Sequence, residues 1–253
     1  MSDIMGQETK VSMKILFSIT SCRVYQSNGQ EDSVRESWVK EWGHLFEYRF
    51  LLGRGCDVHF DDELLLDVPD GYESVAHKCN TAHRWALDKG YDFVFQCCTD
   101  TYVAVPRLLA TGFEKHACMG AICEPLPAPG GGAGYTLDKR ALSALAAAEH
   151  PFPIGDDVLT GMTLNRVGLP MVHDDRFWSD VRMIEGMRQG GFSSFPYKEA
   201  SAWDGGVCTV HLGNGCRSSC LPSAVKEYSP TMMFDCHQSF LSNQKREKTK
   251  CLQ

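Results

Sequence analysis

Two kinds of apolar pattern alternate along the chain. Short, almost wholly apolar runs rich in β-branched and aromatic residues read as buried strands: residues 14–20 (KILFSIT), 48–52, 93–98 (FVFQCC), 118–123 and 171–173. Between them the apolar residues fall on one helical face. Residues 33–42 place Val34, Trp38 and Trp42 on a stripe, with Ser33 as the cap. Residues 69–87 align Tyr72, Val75, Ala76, Cys79, Ala82 and Ala86 and stop at Lys89-Gly90. Residues 105–112 form a short helix, residues 135–149 run into an alanine-rich one, and 156–167 end at Gly168 and Pro170. Strands alternating with helices predict an α/β domain with a largely parallel sheet flanked by helices. Residues 1–12 read as a flexible leader, 13–240 as one domain and 241–253 as a charged tail carrying KREKTK at 245–250.

Composition narrows the class. Hydrophobic residues make up 43% and charged residues 23%, which excludes a disordered chain, a collagen and a coiled coil. Lys and Arg number 25 against 32 Asp and Glu, so a uniformly basic nucleic-acid binder is disfavoured while a local basic groove is not. No run approaches the roughly 20 apolar residues of a membrane span, and the polar start MSDIMGQETK is no export signal. A cytoplasmic protein without membrane contact is expected. Its 12 cysteines are then reduced and mostly small buried residues. Cys216 and Cys220 (CRSSC) offer half a zinc site, but no second half is evident.

Four segments carry candidate chemistry. Asp100 follows the 93–98 strand, where open α/β sheets bind ligands, or else it caps the next turn. The run 130–135 (GGGAGY) lets backbone approach a ligand closely, or is a flexible turn. Asp156 and Asp157 in GDDVLTG stand at a helix start, as caps or as paired carboxylates. His211 in VHLGNG closes an apolar run, as a structural residue or as a ligand. Neither a G-x-S-x-G elbow nor a phosphate-binding G-x-x-x-x-G-K-[ST] loop is present.

The order of these segments resembles glycosyltransferase family 31, the fringe and core 1 β-galactosyltransferase type with a single GT-A domain. Arg35-Glu-Ser-Trp38 resembles its R-x-x-W, and Asp70-Gly-Tyr72 with Lys78 resembles its D-x-Y…K helix. FVFQCCTDTYV at 93–103 is similar to its strand and triple-acidic run. GGAGYTL at 131–137, Asp156-Asp157-Val158 with Gly161, and Val210-His211-Leu212 complete the series, which spans roughly 14–211. Two departures stand out: the acidic run reads Cys98-Thr99-Asp100, and the preceding family lysine is Gln96.

The resemblance implies metal-assisted, inverting transfer of a hexose from a nucleotide-sugar, with a UDP-sugar the expected donor. Asp100 and His211 are the expected ligands of Mn²⁺ or Mg²⁺, with His173 or Asp180 as substitutes for His211. Asp157 is the expected base and Asp156 its neighbour. Thr20, Ser21, Arg23 and Arg35 are expected nucleotide contacts by position, with Asp70, Lys78 and Thr99 beside them. Gly131, Gly132, Ala133, Gly134 and Tyr135 are expected to line the acceptor side. The acceptor is a glycan, a protein or a hydroxylated base in viral DNA, the last placing the enzyme in a host cytoplasm. A non-catalytic sugar- or nucleotide-binding module on the same fold is the alternative.

Overall fold

A computed structural model of the chain describes residues 13–123, 127–148, 153–178, 198–213 and 228–250. Its strands are β1 (Ile15–Thr20), β2 (Glu47–Leu52), β3 (Glu63–Leu65), β4 (Phe93–Cys98), β5 (Thr101–Val103) and β6 (Cys118–Gly120). They continue with β7 (Ile122–Cys123), β8 (Ala128–Pro129), β9 (Tyr135–Asp138), β10 (Met171–His173), β11 (Phe177–Trp178) and β12 (Thr209–His211). A seven-stranded sheet runs β10-β6-β9-β4-β1-β2-β3, and only β9 is antiparallel to its neighbours. The α/β expectation with a mostly parallel sheet therefore holds.

β1 and β4 are paired at the centre and have apolar side chains on both faces, as parallel strands covered by helices must. One face sets Phe17 against Phe46, Phe95 and Trp38. It is covered by the helical stretch from Gln30 to Trp42, which has a π-helical turn at Arg35–Val39, and by the Pro230–Lys250 helix. The other face packs Leu16, Val94 and Leu137 against helices Val75–Asp88 and Lys139–Ala146. Successive connections from β1 leave toward β2 on one side, whereas β4 lies on the other. The β3-β2-β1-β4 order thus puts the switch point, at which such sheets bind ligands, past the carboxyl ends of β1 and β4.

Three local expectations are corrected. Ser33 is not a cap: the helix begins at Gln30 after left-handed Gly29, and the Ser33 hydroxyl donates back to the Gln30 carbonyl. Tyr72 leaves the stripe of its helix, which starts at Val75; Tyr72 lies in a preceding 3₁₀ turn and is 84% exposed. Residues 245–250 are the exposed end of the Pro230–Lys250 helix, tied back by Arg107–Glu247 and Arg246–Asp204 pairs. The Cys216–Cys220 pair and Asp180 fall outside the described residues.

Arg35 is the electrostatic hub behind β1 and β2. Its guanidinium meets Glu31 at 3.1 Å, Asp32 at 3.2 Å, Asp62 at 2.8 Å and Glu63 at 3.1 Å, and it stacks between Phe50 and Phe60. Burial pushes the Glu31 carboxyl up to about 7, with Glu63 adding to the rise and Ser21 and Arg35 opposing it. A carboxyl raised in the folded state stabilises the fold fully below its unfolded value and loses that contribution as pH climbs through the folded one. The melting temperature is therefore expected to fall between pH 5 and pH 8, and Glu31→Gln to flatten that slope in calorimetry. An unchanged slope would remove Glu31 as its source.

Candidate active site

β4 ends at Cys98, and the next two residues turn the chain out of the main sheet into β5. The turn is closed by the Cys98 amide donating to the Thr101 hydroxyl, 3.1 Å. β12 then pairs antiparallel with β5 in the register His211↔Thr101, and the Leu212 amide donates to the Asp100 carbonyl at 2.9 Å. The two candidate ligands, 111 residues apart in sequence, meet as a result: His211 Nε2 lies 3.2 Å from Asp100 Oδ2. Asp100 Oδ1 is enclosed and has no hydrogen-bond partner among the described residues.

Glycines frame this pair. A Cβ on Gly213 would collide with Asp100 Oδ2, and one on Gly132 would collide with the His211 ring. Gly132 also accepts from the Thr101 hydroxyl at 2.9 Å, which fastens the glycine turn to β5. Its neighbour Gly131 donates its amide to Asp157 Oδ2 at 3.3 Å. Asp157 stands in the first turn of the Asp156–Arg166 helix, where backbone N–H groups favour negative charge. The glycine turn thus touches His211 through Gly132 and Asp157 through Gly131.

Asp156 faces elsewhere. Its Oδ2 accepts from the Tyr135 hydroxyl at 2.9 Å, and that hydroxyl also lies 3.2 Å from Thr160 Oγ1. Burial first, and the Asp157 charge second, push the Asp156 carboxyl up to about 7. The residue keeps some accessible surface, but its carboxyl is surrounded by protein. Tyr135 and Ala133, expected on the acceptor side, are fully buried, so only Gly131 and Gly132 of that run reach the surface.

The remaining expected contacts divide. Arg23, at the exposed start of the Arg23–Ser27 helix just past β1, makes no ion pair with the described residues. Lys78 and Asp70 pair with each other at 2.7 Å. Lys78 also donates to the Ser21 carbonyl, and Asp70 accepts from the amides of Gly53 and Arg23. Burial opposes ionisation of Asp70, but these donors outweigh it and hold the carboxyl below its usual range. Ser21 donates its hydroxyl to Glu31, and Thr20 accepts from Gln96 Nε2 at 2.9 Å. Thr99 is wholly buried, its hydroxyl donated to Gln30 Oε1 at 2.7 Å. Arg35 is turned to its four carboxylates. These groups hold the loops after β1 and β4.

Sequence reasoning missed Gly213, Gln30 and Thr160. The Gly213 signal lay in VHLGNG itself, whereas Gln30 and Thr160 act only through tertiary contacts. An Asp oxygen with an imidazole nitrogen suits Mn²⁺, and the enclosed Asp100 Oδ1 together with the two side-chain-free glycines fits a cation there. Among the described residues no group of three or more His, Cys, Asp or Glu gathers as a cage. An ion at this pair would complete its shell with water or substrate oxygens.

No protein-family model matches the chain, and no curated protein sequence does. Among solved structures, it is similar to the catalytic domain of Drosophila β1,4-galactosyltransferase 7, crystallised with xylobiose. That match has 12% identity and a TM-score of 0.46, and covers 87% of this chain and 79% of that one. A glycosyltransferase involved in glycosylating the major capsid of PBCV-1 matches at 12% identity and TM-score 0.44, over 81% and 95%. A Desulfovibrio desulfuricans G20 protein, assigned as a nucleotide-diphospho-sugar transferase, matches at 10% identity and TM-score 0.42, over 64% and 80%. At this degree of overlap, the chemistry is read from the site's own residues.

Gly213→Ala is expected to abolish any rise in melting temperature that Mn²⁺ gives the parent protein, with native circular dichroism retained. A rise that persists in the variant would place the cation away from Asp100.

Proposed function

We propose that the protein is a GT-A glycosyltransferase that moves a sugar from a nucleotide-diphosphate donor, a UDP-sugar, to an acceptor hydroxyl with inversion. One observation carries this reading: Gly132 abuts His211, which meets Asp100, and the adjacent Gly131 holds Asp157, so the two candidate cation ligands and the candidate base gather at one glycine turn. Inverting transfer needs both kinds of group. One side must hold the departing diphosphate; the opposite side must take a proton from the attacking hydroxyl.

Asp100 and His211 would hold a divalent cation, Mn²⁺ or Mg²⁺, which when bound neutralises charge on a diphosphate leaving group. Arg23, exposed and without an ion pair among the described residues, adds a fixed positive charge at the end of β1. The acceptor oxygen attacks the anomeric carbon, the carbon–oxygen bond to the diphosphate breaks, and Asp157 takes the hydroxyl proton. The helix start and the Gly131 amide keep Asp157 oriented toward the turn. Gly131 and Gly132, lacking side chains, admit the acceptor to that carboxylate. The acceptor is a glycan hydroxyl, or a hydroxyl of a protein or modified nucleobase. No helix among the described residues is long and apolar enough to cross a membrane.

Asp157→Asn keeps the shape and removes the proton acceptor. Transfer is expected to fall by roughly 10² to 10⁴, the usual span of general-base catalysis, with donor affinity by calorimetry close to the parent's. A variant that melts lower yet transfers at the parent rate would reduce Asp157 to a helix cap. Loss confined to Asp156→Asn would move the base one residue back.

A further inference from the structure

Adjacent carboxylates at a helix start ordinarily both face solvent, but here they are sorted. Asp157 lies against the Gly131 amide, while Asp156 is turned inward to the Tyr135 hydroxyl. Tyr135 opens β9, directly after the glycine turn, and is fully buried between β4 and β6. Left-handed Gly134 permits that turn, since a Cβ there would run into Phe95 and the Gln96 carbonyl. The Tyr135 hydroxyl, through Asp156 and Thr160, therefore joins the strand after the glycine turn to the helix carrying Asp157.

We propose that Tyr135 is a positioning residue: its hydroxyl holds Asp156 inward, which fixes Asp157 on the glycine turn, and with Thr160 it forms a three-member chain that governs the charge beside Asp157. This rests on the glycosyltransferase reading of the site.

The chain has two hydrogen-bond arrangements. With Asp156 ionised, Tyr135 donates to it. With Asp156 protonated, the carboxyl donates to the Tyr135 oxygen and the phenolic hydrogen turns to Thr160 Oγ1, 3.2 Å away. Burial holds the Tyr135 phenol protonated throughout. The titratable groups facing Asp156 are Tyr135 from β9, Cys79 from the Val75–Asp88 helix, Cys98 from β4 and Asp157 beside it. Burial raises both thiols, which leaves them neutral, so Asp156 and Asp157 supply the local negative charge. Ionised Asp156 strengthens Asp157 as a proton acceptor through like-charge repulsion. The transfer rate is accordingly expected to rise with pH through about 7, on a limb that belongs to Asp156.

The test is the pH–rate profile of transfer for three variants, with donor KM recorded. Tyr135→Phe removes a donor to the ionised form, so the limb is expected to move up by roughly one pH unit, with kcat lowered and donor KM unchanged. Thr160→Val removes the acceptor that the protonated form needs, so the limb is expected to move down. Asp156→Asn is expected to abolish it. A limb that stays in place in both Tyr135→Phe and Thr160→Val overturns the proposal, and so do shifts of the same sign in the two. If Tyr135→Phe does not fold, the downward shift in Thr160→Val still decides. Failure of the underlying reading is distinct: the parent protein itself would transfer no sugar.

Discussion

The antiparallel pairing of β12 with β5 is the contact on which the site depends. Neither strand belongs to the main sheet, and each is three residues long. Their register alone sets His211 beside Asp100, because His211 stands opposite Thr101 and the Leu212 amide seals the Asp100 carbonyl. The same pairing fixes the glycine turn, since the Thr101 hydroxyl is held by Gly132. A register slip of one residue would turn His211 to the other face, and the Asp100–His211 pair would be lost with it.

Around this pairing the chain spends buried polar groups on holding loops still. Lys78 with Asp70 braces the end of β1 against β2, Gln30 grips the wholly buried Thr99, and Arg35 gathers four carboxylates behind Ser21. Such groups are costly to bury unless each finds partners. Here they do, and the loops past β1 and β4 are tethered from beneath as a consequence.

The sequence was legible where burial acts locally. The runs forming β1, β2 and β4 are nearly all apolar and declared themselves within one or two residues, as did the helix beginning at Asp156. β9 did not. Its four residues, YTLD, run directly into a helix and read as part of it, yet they insert antiparallel between β4 and β6. The roles of Asp100, Asp157 and His211 were proposed from motif order, and the fold brings these residues around one turn. Arg35 and Thr99 are expected at the nucleotide by position in the motifs, and the fold pairs Arg35 with carboxylates and buries Thr99 against Gln30. Nothing in local sequence distinguishes an arginine that meets phosphate from one that meets four carboxylates folded in from 31, 32, 62 and 63. Likewise the inward turn of Asp156 is dictated by Tyr135, 21 residues away.

The proposed chemistry at the glycine turn releases a nucleoside diphosphate with the help of a cation held by Asp100. The most direct measurement is nucleoside diphosphate release from a panel of nucleotide-sugars, with and without Mn²⁺, by the parent protein and by Asp100→Asn. At least one sugar nucleotide, a UDP-sugar, is expected to be turned over only with the cation, and that turnover to be lost in the variant. Turnover that ignores the cation and survives Asp100→Asn would contradict it, as would a folded parent protein that releases nothing from any donor.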